Sequence, residues 1–104
     1  MFAARVGDPC IPHCSPFVIA PPGSLNVFIN GLPAARLTDK VTPHTMPNPA
    51  KPPTPPCIPH LGVMIIKGSA TVFINGLPAA RMGDTVGPMC TAIQKGSLNV
   101  WMGG

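Results

Sequence analysis

Acidic residues are nearly absent from this chain: 104 residues carry three carboxylate side chains against seven lysines and arginines. All three acids stand in one local pattern, Arg5-Val-Gly-Asp8, Arg36-Leu-Thr-Asp39 and Arg81-Met-Gly-Asp84. Each carboxylate thus has an arginine three residues before it, and the pairs read as structural ion pairs or turn caps. No free acid–base pair remains for proton-transfer chemistry, and no glycine loop of the phosphate-cradling kind is present. An enzyme is not expected. Positive charge is equally thin. With the arginines neutralised, the net charge of +4 rests on Lys40, Lys51, Lys67 and Lys95, which are scattered singly. No basic cluster interleaved with aromatics appears, so a nucleic-acid partner is not expected. Long apolar runs are also missing. "FVIA" (17–20) and "VMII" (63–66) have the length of strands, far short of the roughly 18 residues that cross a bilayer as a helix. The opening "MFAARVGDPC" has no signal-peptide core.

What the chain has in quantity is proline and glycine, 16 and 11 residues. Such levels are common in disordered chains, but those are polar and charged, whereas 45% of these residues are hydrophobic. The composition predicts one ordered, turn-rich domain with little room for helix. A domain this short buries a limited core and gains from a metal, a disulfide or a partner.

The stretch "VFINGLPAAR" occurs twice, at Val27–Arg36 and Val72–Arg81. Asn-Gly between apolar runs is a strong hairpin signal, because a type I′ turn needs positive φ at both central residues. Pro33 and Pro78 lack an N–H and belong where the ladder needs no donor. The two ends of the chain complete the pattern. "GSLNVWMGG" (96–104) matches "GSLNVFING" (23–31), and "MFAARVGD" (1–8) matches "LPAARLTD" (32–39). Joined, the ends make a third copy cut at its hairpin turn. Three copies of which one is split imply a closed arrangement with unequal spacings, hence pseudo-threefold symmetry. The excess in the longest spacing, "MPNPAKPPTPP" (46–56), reads as an extended surface loop of polyproline type.

A second pattern follows each Arg-x-x-Asp. It is Asp8-Pro-Cys-Ile-Pro-His13, Asp39-Lys-Val-Thr-Pro-His44 and Asp84-Thr-Val-Gly-Pro-Met89, with Cys90 next. The remaining histidine, His60, lies in "CIPH" (57–60), a copy of residues 10–13. A closed ring would bring these positions to one end. Three imidazoles and one thiolate, at ligand distances of about 2.0–2.3 Å, make a saturated tetrahedral zinc site, which is structural because no position is left for water or substrate. Its contribution to folding is on the order of 10 kcal/mol. The candidate ligands are His13, His44, His60 and Cys90. Cys90 is preferred because it stands beside the place of the missing histidine, and Cys14, at the same place in the first repeat, is the main rival. Cys10 and Cys57 share one context and read as buried small apolar residues; a disulfide is the rarer alternative in a protein finished in the cytosol.

"PAAR" stands at Pro33–Arg36 and Pro78–Arg81, with Phe2-Ala-Ala-Arg5 as a degenerate third copy. Over its whole length the sequence resembles the PAAR-repeat proteins of bacterial type VI secretion systems. The resemblance implies an all-β fold: a small cone of short strands and β-hairpins with pseudo-threefold symmetry, the third repeat split between the termini and zinc at the apex. It implies a broad base that binds the blunt end of the trimeric valine–glycine-repeat spike protein (VgrG), one monomer per trimer. It implies a zinc held by three histidines and a cysteine, which here fit His13, His44, His60 and Cys90. Residues 1–104 are expected to form a single PAAR domain, monomeric on its own and without an effector extension, so that any cargo binds non-covalently. The expected route is from the cytoplasm, loaded on the spike, into a target cell or the medium, with transient contact with the target membrane. A stand-alone structural zinc-binding or metal-sensing module is the alternative reading.

Overall fold

Each Asn-Gly dipeptide forms the turn its chemistry favours. Asn30 and Gly31 have φ of 53° and 79°, and Asn75 and Gly76 have 54° and 78°. Around them β1 (Phe28–Ile29) pairs antiparallel with β2 (Leu32–Pro33), and β6 (Phe73–Ile74) with β7 (Leu77–Pro78). These features come from a computed structural model that describes residues 1–12, 14–48, 50, 55–88 and 90–103. The remaining strands are β3 (His44–Pro47), β4 (Cys57–His60), β5 (Met64–Ile65) and β8 (Val86–Gly87); β3 pairs with β4 and β5 with β8, all antiparallel. The fold is all-β, with no helix among the described residues, and therefore none long and apolar enough to cross a membrane.

The third hairpin is assembled from the two ends of the chain. Phe2 bridges Trp101 in the register that pairs Pro33 with Phe28 and Pro78 with Phe73. Its hydrogen bonds are Ala3 N–H to the Val100 carbonyl (2.9 Å) and Met102 N–H to the Met1 carbonyl (2.8 Å). The repeats then close on one another. Arg5 bridges Ala34, Arg36 bridges Ala79 and Ala3 bridges Arg81. At the centre, Ala4 N–H donates to Ala80, Ala80 to Ala35 and Ala35 to Ala4, at 3.0, 3.0 and 3.1 Å. This triangle explains the paired alanines of the motif: Ala3, Ala4, Ala34, Ala35, Ala79 and Ala80 are all buried, where three backbones meet and a larger side chain would overpack. The prolines serve as acceptors only, the carbonyls of Pro33 and Pro78 receiving N–H groups from Val6 and Leu37 of the neighbouring repeat.

Each Arg-x-x-Asp closes a β-turn in which the Asp N–H donates to the Arg carbonyl at 3.0 Å. Positive φ at the third position, 91° at Gly7, 74° at Thr38 and 92° at Gly83, makes these type II turns. The carboxylate accepts from the guanidinium and from the backbone N–H of its own arginine. The guanidinium of Arg5 also donates to Asn30 and that of Arg36 to Asn75, so ion pair and hairpin turn are tied across repeats. In the third junction the Gly103 carbonyl stands in for the asparagine and accepts from Arg81.

The apolar interior has two layers. Ile29, Ile74 and the first alanine of each repeat form one under the hairpins. Phe17, Ile19, Val41, Val63, Ile65, Val86, Ile93 and Cys10 form the second together with the second alanine of each repeat, in a molecule with extents of 47 × 23 × 22 Å. The proline-rich loop read over 46–56 begins later than expected: Met46 and Pro47 belong to β3 and pair with Ile58 and Cys57. A proline at the end of a strand leaves the ladder intact. Pro49, Lys51, Pro52, Pro53 and Thr54 of that reading lie outside the described residues.

Candidate metal centre

His44 and His60 face each other directly across the β3–β4 ladder. Opposed residues in an antiparallel pair project to the same face with their Cβ atoms about 4.5–5.5 Å apart. Both side chains are buried and their ring centroids are 5.0 Å apart. Cys90, in the segment after β8, brings its Sγ to 3.4 Å from His44 Nε2. One ligand atom from each of His44, His60 and Cys90 lies within 4.8 Å of the others. His13 lies outside the described residues.

Each histidine is held from behind. His44 Nδ1 lies 3.1 Å from the Thr42 carbonyl, and the Phe17 ring stacks on its imidazole at 3.7 Å with the planes 8° apart. His60 Nε2 lies 3.0 Å from the Pro88 carbonyl. Such outer contacts are what metal-binding imidazoles use to fix orientation. Burial pushes the Cys90 thiol up, and hydrogen bonds from Thr91 only partly oppose this. Without a metal the sulfur is therefore a thiol, and coordination would displace its proton. The donor set of imidazoles and a thiolate suits zinc or another thiophilic cation and not a hard, oxygen-seeking one.

Of the other cysteines, Cys14 and Cys57 differ from the sequence reading, while Cys10 is buried as read. Cys14, the rival ligand, and Cys57, which read as a buried small apolar residue, are joined to each other in a disulfide. The physical reason is the strand pairing: Cys57 opposes Pro47 at the outer end of β3–β4, and the Cys14–Ser15 segment runs along that hairpin. Cys14 N–H donates to the Thr45 carbonyl and Thr45 N–H to Ser15 Oγ. Cys10 is a buried free thiol pushed up to about 12, chiefly by burial. Phe17, read only as part of the strand-length run "FVIA", stacks on a histidine 27 residues away in the chain, a contact that no local pattern signals.

No curated protein matches this chain significantly. The PAAR motif family matches residues 1–44 and 55–104. The unmatched stretch, residues 45–54, takes in the rest of β3 after His44 and stops before β4, so both buried histidines and all of β4 lie within the matched regions. The match takes in all three hairpins, the alanine triangle and Cys90, and on this basis the chain belongs to the PAAR motif family.

Proposed function

We propose that this protein caps the trimeric VgrG spike of a type VI secretion system, one monomer per trimer, with a structural zinc at its far end and no catalysis. Family membership suggests association with the spike tip of such a system. The observation that carries the finer reading is a threefold set of exposed apolar side chains. Phe28, Phe73 and Trp101 occupy the same position of the three hairpins and are 57%, 57% and 66% exposed. Leu25 and Leu98, at corresponding places beside two of them, are more exposed still. Large exposed apolar groups repeated around an axis mark a contact surface, and their symmetry suits a partner with a true threefold axis. Burying one such side chain is worth about 1.5–3 kcal/mol.

The metal belongs to the opposite layer. His44, His60 and Cys90, with His13 as the fourth ligand, would hold zinc, which when bound ties β3, β4 and the Cys90 segment together. The protein would wait in the cytoplasm until loaded, then travel with the spike into the target cell or medium, carrying any effector non-covalently. The test is to mix the purified protein with a VgrG trimer and weigh the complex by light scattering. One monomer per trimer is expected, and Phe73→Glu should weaken binding at least about tenfold, roughly 1.4 kcal/mol. Leu61→Glu, beside His60, should leave binding unchanged. Three monomers per trimer, or none, would refute the assignment. Elemental analysis should return one zinc per chain, lost in His44→Ala.

A further inference from the structure

The two buried histidines are held by the same kind of group but through different nitrogens. A carbonyl oxygen can only accept a hydrogen bond, and a neutral imidazole carries its proton on one nitrogen and a lone pair on the other. The Thr42 carbonyl faces Nδ1 of His44 at 3.1 Å, so the proton sits on Nδ1 and the lone pair on Nε2. The Pro88 carbonyl faces Nε2 of His60 at 3.0 Å, so there the proton sits on Nε2 and the lone pair on Nδ1. Nε2 of His44 is also the atom 3.4 Å from Cys90 Sγ.

We infer that the centre takes its metal through Nε2 of His44 and Nδ1 of His60, and that Phe17, with the Thr42 and Pro88 carbonyls, positions the rings for this unlike pair. The inference rests on the metal reading above. Rotation of the His44 ring about its Cβ–Cγ bond would exchange Nδ1 for a carbon and lose the Thr42 contact. Phe17, 3% exposed and packed among Ile19, Ile65 and Ile93, lies flat on that ring and blocks the rotation. The Pro88 carbonyl precedes Cys90 by two residues, so one segment both orients His60 and delivers the sulfur. This also accounts for the opposition of the two histidines. They start from facing positions on neighbouring strands, and the unlike nitrogens, with rings inclined at 63°, let them present two lone pairs without duplicating each other's geometry.

Cadmium-113, a thiophilic stand-in for zinc with a nuclear spin, tests the assignment on the full chain. A metal on Nε2 lies three bonds from both Hδ2 and Hε1 of the ring, whereas a metal on Nδ1 lies three bonds from Hε1 alone. The expected spectrum shows cadmium coupling to Hδ2 and Hε1 of His44 and to only Hε1 of His60. Like patterns on the two rings, or the reverse assignment, would overturn the inference. Nitrogen shifts of the metal-free protein should independently report the Nδ1–H form of His44 and the Nε2–H form of His60. Those tautomers with no cadmium coupling at either ring would overturn the metal reading and this proposal with it; the opposite tautomers would overturn the positioning alone. Phe17→Leu keeps an apolar side chain but removes the stack. It should blur the coupling pattern at His44, leave that of His60, and speed metal transfer to a chelator about 10- to 100-fold, with Phe17→Tyr restoring the pattern. Equal disturbance of both histidines would reduce Phe17 to a packing residue and refute its positioning role.

Discussion

Thr38→Gly should stabilise this protein, and the size of the effect can be worked from its own repeats. Thr38 has φ of 74° at the third position of a type II turn, where the other two repeats place Gly7 and Gly83. Left-handed backbone costs an L-residue roughly 1–2 kcal/mol, and a β-branched residue there is a genuine outlier. The Thr38 side chain is exposed, so its removal forfeits little packing. Its N–H donates to the Ile65 carbonyl at 2.9 Å, a bond that glycine keeps. Against the relief stands the greater freedom of glycine in the unfolded chain, about 0.4–1 kcal/mol. The net gain is about 0.5–1 kcal/mol, which at about 4–8 °C per kcal/mol for a domain near this size raises Tm by several degrees. Gly7→Ala is the mirror experiment. A Cβ at Gly7 meets nothing within 4 Å, so Gly7→Ala should cost about 0.5–1 kcal/mol, the left-handed strain less the unfolded-state gain. Thermal unfolding of the three proteins at equal metal content checks both signs. A Thr38→Gly protein no more stable than the parent, or a neutral Gly7→Ala, would refute the argument from left-handed strain.

Three further outcomes follow from the packing. A Cβ built at Gly96 would lie 2.5 Å from the Ala3 carbonyl oxygen, so Gly96→Ala must push apart the terminal segments and should lower stability by more than about 2 kcal/mol in urea unfolding. Replacing Cys14 and Cys57 together by serine opens a link between residues 43 apart and should lower stability by up to about 4 kcal/mol, read from the urea midpoint. Asp84→Asn leaves the buried Arg81 guanidinium without its counter-charge and should cost about 3–5 kcal/mol, whereas Asp39→Asn, at a more exposed pair, should cost clearly less by the same measurement.

The division between local and distant causes is visible in individual residues. Asn30-Gly31 and Asn75-Gly76 turn because of their own φ preferences, and Arg81 meets Asp84 across three residues, so both were legible in the sequence. The split third hairpin was legible too, since "GSLNVWMGG" and "MFAARVGD" carry the halves of a pattern printed whole elsewhere. His44, His60 and Cys90 could be named as a set, but not the way they meet. That needed the register of β3 on β4, which the proline-rich reading of 46–56 obscured by assigning Met46 and Pro47 to a loop.

The sequence by itself determined the number of repeats, their turns, their ion pairs and their closure into a ring, because each depends on residue types within a few positions or on a repeated covalent pattern. Only the tertiary structure decided which sulfur stands by the histidines and which is tied up elsewhere. Cys14 and Cys90 hold the same place in their repeats, yet Cys14 lies against Cys57 and Cys90 against His44, because among the described residues the four-residue β3–β4 pairing occurs in one repeat alone. The same holds for the alanine triangle and the Phe17 stack. Both are contacts between residues distant in the chain, set by where three backbones converge and not by any residue's own preference.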